Sequence, residues 1–447
     1  MTRVVIVGGS AAGMAAAAKA KRVNKELDVI VFERSKYVSY AACGVPYYFQ
    51  GLVKELDKLV YYTAEYFRKE RGIDVRTRHL VTEIDRSSKT VTAIDLESGK
   101  EVKVEYDKLL LATGGIASKP PVDGIDLDGI FTLRILEDAD KLYREAVKAD
   151  TIGIVGVGYI GLEMAEAFRK MGKKVIVLGR RSHVLPSFDE EPAKPVEEVI
   201  RRNGVDLHLN EKVVAFEGRD RVNKVVTDKG SYNVDLVLLS VGVKPNIEFA
   251  KKLGLEIGTT GAIKVDKTMR TSDPDIYAAG DNVETINLVT GKHIYIPLAP
   301  TANKMGRVAG ENLAGGYAEF PGIVGTAIAK IFDIEVGRTG LTYEEALKEG
   351  FNAVYIDIIH GTRSHYYPGN KRINIRLVAD KDTHRVLGLQ ATGEEGVLAR
   401  VDTAAAVITA GMKTEDLKML DLAYAPPFAP VWDPLVVAAS VIERKFK

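Results

Sequence analysis

The sequence predicts an α/β protein with two doubly wound units followed by a C-terminal α+β domain. Three observations carry this expectation. A strand, a glycine-rich turn, a helix and a second strand follow one another up to Glu33. The same order returns between Thr151 and Leu178. From about residue 325 the pattern changes to longer alternating strands and one long helix. A repeated strand–turn–helix–strand unit marks the doubly wound architecture, because adjacent parallel strands need a crossover helix between them.

Each element has a local reason. Val4-Val5-Ile6-Val7 is a β-branched run suited to a strand buried on both faces. Residues 11–20 are rich in alanine and read as a helix. Val29-Ile30-Val31-Phe32 is a second buried strand. Residues 90–95 and 101–104 flank Ser98-Gly99-Lys100 and read as a hairpin. Residues 108–112 form an apolar strand ending in Thr113-Gly114-Gly115, and Ser118-Lys119-Pro120-Pro121 punctuates a linker. In the second unit, residues 152–155 and 175–178 read as strands and 161–171 as the helix between them. Residues 224–240 read as a parallel hairpin and strand, running into Val241-Gly242-Val243-Lys244-Pro245-Asn246. The last part offers alternating strands at 373–378 and 386–391 and a helix at 399–410. Tyr424-Ala425-Pro426-Pro427-Phe428-Ala429-Pro430 is too rich in proline for a helix.

Composition narrows the class. At 447 residues and 46% hydrophobic, the chain buries a large core without cross-links. Its 62 basic and 61 acidic residues create no strong field, so no nucleic acid or acidic membrane partner is expected. No apolar run reaches the roughly 18 residues of a membrane span, and Gly8-Gly9 cuts the N-terminal run too short for a secretory leader. The only cysteine, Cys43, excludes an intrachain disulfide and fits a reducing, cytoplasmic setting. Glutamine occurs only at Gln50 and Gln390 while Glu, Lys and Arg abound, a composition that points to a heat-adapted source. The seven histidines show no paired metal spacing, and no metal is expected.

The glycine turns carry the chemistry. In Gly8-Gly9-Ser10-Ala11-Ala12-Gly13, Gly8 makes the tight turn, small Ser10 lets backbone approach a pyrophosphate, and Gly13 packs helix on strand. Glu33 follows ~20 residues later, where a carboxylate accepts from ribose hydroxyls. A dinucleotide is therefore expected here, the alternative being a glycine-rich turn of an unrelated α/β protein. Gly156-Val157-Gly158-Tyr159-Ile160-Gly161 is a second, intact fingerprint. Its acid position holds Gly179, then Arg180 and Arg181. Loss of the carboxylate removes repulsion against a 2′-phosphate, and two guanidiniums attract it, so NADPH is expected alongside NADH. The alternative is a solvated arginine pair. Cys43, in Ala42-Cys43-Gly44-Val45-Pro46, precedes a Gly and a Pro that suit a helix start, which would lower its thiol pKa. The alternative is a small buried hydrophobe.

Together these motifs resemble the flavin-dependent pyridine nucleotide–disulfide oxidoreductases over nearly the whole chain. Leu109-Leu110-Leu111-Ala112-Thr113-Gly114-Gly115 is similar to the family's crossover motif, and Ile276-Tyr277-Ala278-Ala279-Gly280-Asp281 to its second flavin motif. Tyr48 stands where two-cysteine members place the second thiol, so the single-cysteine branch is the better likeness. That branch contains coenzyme A disulfide reductases, NAD(P)H–sulfur oxidoreductases and NADH oxidases. The tail Asp421-Leu422-Ala423-Tyr424-Ala425-Pro426-Pro427-Phe428 resembles the coenzyme A-binding members. Two departures stand out. Ala42 replaces an asparagine common before the cysteine, and with the sequence ending at Lys447 no appended rhodanese domain is expected.

The resemblance implies an order of domains: FAD-binding (1–115 and 246–324), NAD(P)H-binding (116–245) and dimerisation (325–447). It implies FAD contacts at Gly8, Ser10, Ala11, Gly13, Glu33, Arg34, Val81, Ala112, Thr113, Gly114, Gly280, Asp281 and Ala299, with Asp281 on the ribitol chain. NAD(P)H would meet Gly156, Gly158, Ile160, Gly161, Gly179, Arg180, Arg181 and Gly242, with Tyr159 covering the flavin face. Coenzyme A would meet Lys19, Arg22, Ser39, Tyr40, Ala42, Tyr61, Asn303, Lys304, Arg307 and Trp432, with Arg71 reaching across a dimer. For Lys19 and Arg22 the alternative is an exposed basic helix face. Tyr367 and Tyr424 would approach Cys43 from the second subunit of a homodimer, or serve as interface anchors. No C-terminal His–Glu acid–base pair is apparent in the sequence. The implied activity passes electrons from NAD(P)H through flavin and Cys43 to a coenzyme A disulfide, a persulfide or polysulfide. The alternatives are an NADH oxidase cycling through a Cys43 sulfenic acid and an electron-transfer flavoprotein with a protein acceptor.

Overall fold

The computed structural model describes residues 2–447. Its first sheet is parallel, in the order Ile276–Ala278, Lys108–Leu111, Arg3–Val7, Asp28–Glu33, Asp74–Thr77. Val4, Val5 and Ile6 are fully buried, as a strand covered on both faces requires. The chain leaves this sheet to build a second and returns to it at Ile276–Ala278. The second sheet is also parallel, in the order Asp206–His208, Lys174–Leu178, Thr151–Val155, Leu236–Leu239, Ile130–Thr132. In both, the fingerprint strand is central, which places each glycine turn over the middle of a sheet.

The alanine run has a packing reason. Helix Ala11–Val23 lies against helix Ala299–Leu313, and glycines of the second meet the backbone of the first. A Cβ on Gly306 would stand 2.2 Å from the Ala12 carbonyl oxygen, and one on Gly310 2.3 Å from that of Ala16. Small residues on both sides let the two axes approach. Helix Ala299–Leu313 thereby brings a late segment of the chain beside the first glycine turn.

The third sheet is antiparallel, in the order Ala327–Ile331, Ile334–Gly340, Val386–Gly393, Arg372–Asp380, Ala353–Gly361. Two sequence expectations need correction. The strands around 373–378 and 386–391 are not alternating: Val386–Gly393 is buried along its whole length. Helix Val397–Thr409 packs on it, as does helix Glu190–Arg202 from the second unit, so both faces are covered. The hairpin within 224–240 is antiparallel, Val222–Thr227 against Ser231–Asn233. A turn of three residues reverses the chain and cannot return it in parallel. The hairpin Thr90–Asp95 with Glu101–Glu105 forms as expected.

Candidate active site

Both glycine turns are shaped by contacts that exclude a side chain. Gly8 has φ +110°, and a Cβ there would lie 2.2 Å from the Ala112 carbonyl oxygen. At Gly13 it would lie 1.9 Å from the Gly8 carbonyl oxygen. The second turn repeats this geometry: Gly156, at φ +120°, faces the Ser240 carbonyl at 2.1 Å, and Gly161 the Gly156 carbonyl at 2.4 Å. Gly13 and Gly161 hold the helix starts close beneath the turns and do not line the cleft. Glu33 accepts hydrogen bonds from the amides of Gly9 (2.7 Å) and Ser35 (2.8 Å) and still faces the cleft. Burial pushes its carboxyl up, partly offset by those amides.

One continuous cleft of about 3020 Å³ joins the two turns. A pocket for one small molecule holds roughly 300–1,000 Å³, so this space suits several extended ligands together. From the first sheet and its loops, Gly8, Ser10, Ala11, Glu33, Arg34, Val81, Ala112, Thr113, Gly114, Gly280, Asp281 and Ala299 line it. From the second come Gly156, Gly158, Tyr159, Ile160, Gly179, Arg180, Arg181 and Gly242. Lys19, Arg22, Ser39, Tyr40, Ala42, Cys43, Tyr61, Arg71, Asn303, Lys304 and Arg307 line the same space. Lys19 is ion-paired with Glu311, so it is not simply part of a solvated face. Arg71 donates to the Tyr66 hydroxyl at 3.0 Å and lines its own chain's cleft. The glycine cradles, the Glu33 carboxylate and the buried, unpartnered hydroxyl of Tyr159 fit a dinucleotide on each turn.

Cys43 stands in the single turn Ala42–Gly44, ahead of the five-residue helix Val45–Phe49, and is exposed toward the cleft. The expected lowering of its thiol pKa is not observed. Loss of solvation around the thiol pushes it up, the Glu163 carboxylate adds to this, and Arg134 opposes it more weakly. So short a helix aligns few peptide dipoles, and an acid stands within range of the sulfur.

Several residues at the site escaped the sequence reading. Glu163 lies one turn beyond Tyr159 on helix Tyr159–Lys170, and both line the cleft. Burial and neighbouring Glu166 push its carboxyl up to about 7, and no hydrogen bond offsets them. Glu166 itself is engaged by Lys170 and by the Phe332 amide. Arg134 pairs with Asp281 at 2.9 Å across 147 positions of sequence, so the Asp281 carboxylate already has one partner. Tyr295 donates to the Asp281 carbonyl at 2.8 Å. His293, on the cleft wall, contacts the buried Glu284 at 3.0 Å. A C-terminal His–Glu pair also exists: His384 meets Glu415 and stacks on Phe446 at 4.2 Å. It lies outside the cleft.

Tyr367, Tyr424 and Trp432 do not line the cleft of their own chain. Tyr424 and Trp432 lie exposed with Tyr366, Phe428 (78%) and Val431 on the surface of the C-terminal domain. Tyr424 meets Tyr366, hydroxyl to hydroxyl at 3.5 Å, rather than Tyr367. Among the described residues, no helix is long and apolar enough to cross a membrane.

Residues 2–306 match the family described as pyridine nucleotide-disulphide oxidoreductase, and 326–435 its dimerisation domain. The chain is 48% identical over 444 residues to a CoA-dependent NAD(P)H sulfur oxidoreductase of Pyrococcus furiosus, covering 99% of both chains. Its fold matches the solved NAD-dependent persulfide reductase of A. fulgidus with a TM-score of 0.96 and 41% identity, covering 99% of this chain and 83% of the other. It also matches, at TM-score 0.96 and 31% identity, an NADPH oxidase engineered from the water-forming NADH oxidase of Lactobacillus brevis, covering 100% and 99%. The two cradles, the thiol in the same cleft and these likenesses agree: the chain belongs to the pyridine nucleotide-disulphide oxidoreductase family and is an NAD(P)H-dependent, FAD-containing oxidoreductase.

Proposed function

We propose that this protein is a homodimer that reduces sulfur–sulfur bonds of coenzyme A disulfide, coenzyme A persulfide or polysulfide, with Cys43 as the sulfur carrier. One observation carries the reading. The only thiol of the chain is exposed in the same cleft as two dinucleotide cradles and the basic side chains of Arg22, Arg71, Lys304 and Arg307. Those cations suit the phosphates of coenzyme A.

The Cys43 thiolate attacks one sulfur of coenzyme A disulfide. A new S–S bond forms to Cys43, the original one breaks, and one coenzyme A thiolate leaves and takes a proton. The chemistry FAD supplies when bound is two-electron transfer, with the electrons taken as hydride from NAD(P)H. Two electrons break the Cys43 mixed disulfide and release the second coenzyme A thiol. The balance is one NAD(P)H, one proton and one disulfide giving NAD(P)⁺ and two thiols. With a persulfide, Cys43 takes the outer sulfur, coenzyme A thiol leaves, and reduction frees sulfide. Glu163, which holds a proton up to about pH 7, is suited to protonate the leaving thiolate. Tyr367 and Tyr424 reach the site from the partner chain through the exposed apolar face of the C-terminal domain.

Gly179-Arg180-Arg181 favours NADPH, because no carboxylate there opposes a 2′-phosphate. The engineered oxidase supports this: its stated substitutions remove an aspartate and add an arginine beside it, and it is bound to NADPH. A second reading, oxygen reduction through a Cys43 sulfenic acid, is favoured by the likeness to the water-forming oxidase. Anaerobic NADPH oxidation with coenzyme A disulfide or polysulfide, beside an air-only reaction, separates the two. The proposal predicts anaerobic turnover that vanishes in Cys43→Ser. Turnover in air alone would overturn it.

A further inference from the structure

The loop after strand Asp206–His208 lies beside the loop that carries Arg180 and Arg181, and backbone hydrogen bonds tie the two together. The Gly179 amide donates to the His208 carbonyl at 2.8 Å, the Asn210 amide to the Arg181 carbonyl at 2.8 Å, and the Glu211 amide to the Gly179 carbonyl at 2.9 Å. Lys212 follows directly. Its own main chain is fixed from both directions by Asp228: the Lys212 amide donates to the carboxylate at 2.9 Å, and the Asp228 amide donates to the Lys212 carbonyl at 2.9 Å. Arg180, Arg181 and Lys212 all line the cleft, and none has a carboxylate within ion-pair distance among the described residues. The nearest acid in sequence, Glu211, is occupied. It accepts from the Thr227 hydroxyl at 2.5 Å and the Tyr232 hydroxyl at 2.7 Å.

We infer that Lys212 is a third specificity-determining cation for the 2′-phosphate of NADPH, acting with Arg180 and Arg181 from a loop held in register with theirs. The inference rests on the reading of the Gly179-Arg180-Arg181 turn as an NADPH site. A cation fixed through its main chain and left without a protein counter-ion is set to pair with an anionic ligand, and the phosphomonoester is the group that distinguishes NADPH from NADH there. Glu211 also lines the cleft, but its carboxylate is held by the Thr227 and Tyr232 hydroxyls.

The test compares wild type, Lys212→Met, Lys212→Arg and Arg180→Ala/Arg181→Ala by KM for NADPH and NADH and by binding of 2′,5′-ADP and 5′-AMP. The expected result is a roughly five-fold rise in the NADPH-to-NADH ratio of KM values for Lys212→Met. Binding of 2′,5′-ADP weakens to match, with 5′-AMP as the control, and Lys212→Arg restores most of the loss. A ratio unchanged in Lys212→Met, whether both KM values rise together or neither moves, overturns the inference. A ratio unchanged in the double arginine variant sinks the NADPH reading beneath it, so the two failures are distinguishable.

Discussion

At the scale of single residues, the proposed acid is Glu163. Its carboxyl titrates near 7 in the folded chain, well above the ordinary glutamate range, because burial and Glu166 penalise its charge. A folded pKa above the unfolded one means that stability is fullest below about pH 4 and falls as pH rises through about 7. Glu163→Gln removes that penalty, so its melting temperature should exceed wild type at pH 8 by more than at pH 5, read by calorimetry. The same charge raises the Cys43 thiol. The pH profile of iodoacetamide alkylation at Cys43 should therefore shift to lower pH in Glu163→Gln, while pH-optimal disulfide reduction falls by about a hundredfold. An unshifted profile would remove Glu163 from the thiol's surroundings. The glycine and acid positions were legible in the sequence, because a tight turn and a ribose acceptor demand particular residue types at fixed spacing. Glu163, Arg134 and Tyr295 were not. Each matters through a partner brought near only by the fold, as Arg134 and Asp281 show.

Among the elements, the two-helix contact beside the first turn is the most constrained. Gly306 and Gly310 leave no space for a methyl group against Ala12 and Ala16. Gly306→Ala is expected to lose about 1–3 kcal/mol in denaturant unfolding, because overpacking against backbone outweighs the better helix propensity of alanine. It should weaken FAD retention as well, since helix Ala11–Val23 begins at the cradle. A stabilised variant would contradict the packing account. The strands and helix beside each glycine turn were readable from β-branched runs and an alanine run, within three residues at their ends, while Leu136–Lys148, Glu190–Arg202 and the outer strands of both sheets were not. The third sheet misled, because its strands are covered by helices that the local pattern does not contain. The thiol misled for a related reason: a helix start is visible in sequence, while its length and the acid opposite are not.

For the whole molecule, the proposed site needs two chains, and residues 326–435 match the family's dimerisation domain. Tyr366, Tyr424, Phe428, Val431 and Trp432 expose an apolar surface on the C-terminal domain that a dimer would cover. If Tyr424 serves the partner's Cys43, then Cys43→Ser and Tyr424→Phe subunits, each impaired alone, regain activity when mixed and re-annealed. One site of each mixed dimer is then intact. Absence of recovery, with mixed dimers demonstrated by native mass spectrometry, would place Tyr424 outside the partner's site. This expectation comes from family resemblance and the matching dimerisation domain, since no repeat or heptad in the chain announces a dimer.

The proposed reaction turns on Cys43 itself carrying the sulfur substrate. Anaerobic enzyme mixed with coenzyme A disulfide, digested without reductant and analysed by peptide mass should show one coenzyme A on the Cys43 peptide. That adduct should vanish when NADPH is added before digestion. Full anaerobic turnover with no adduct at Cys43, or an adduct that survives NADPH, would contradict the account.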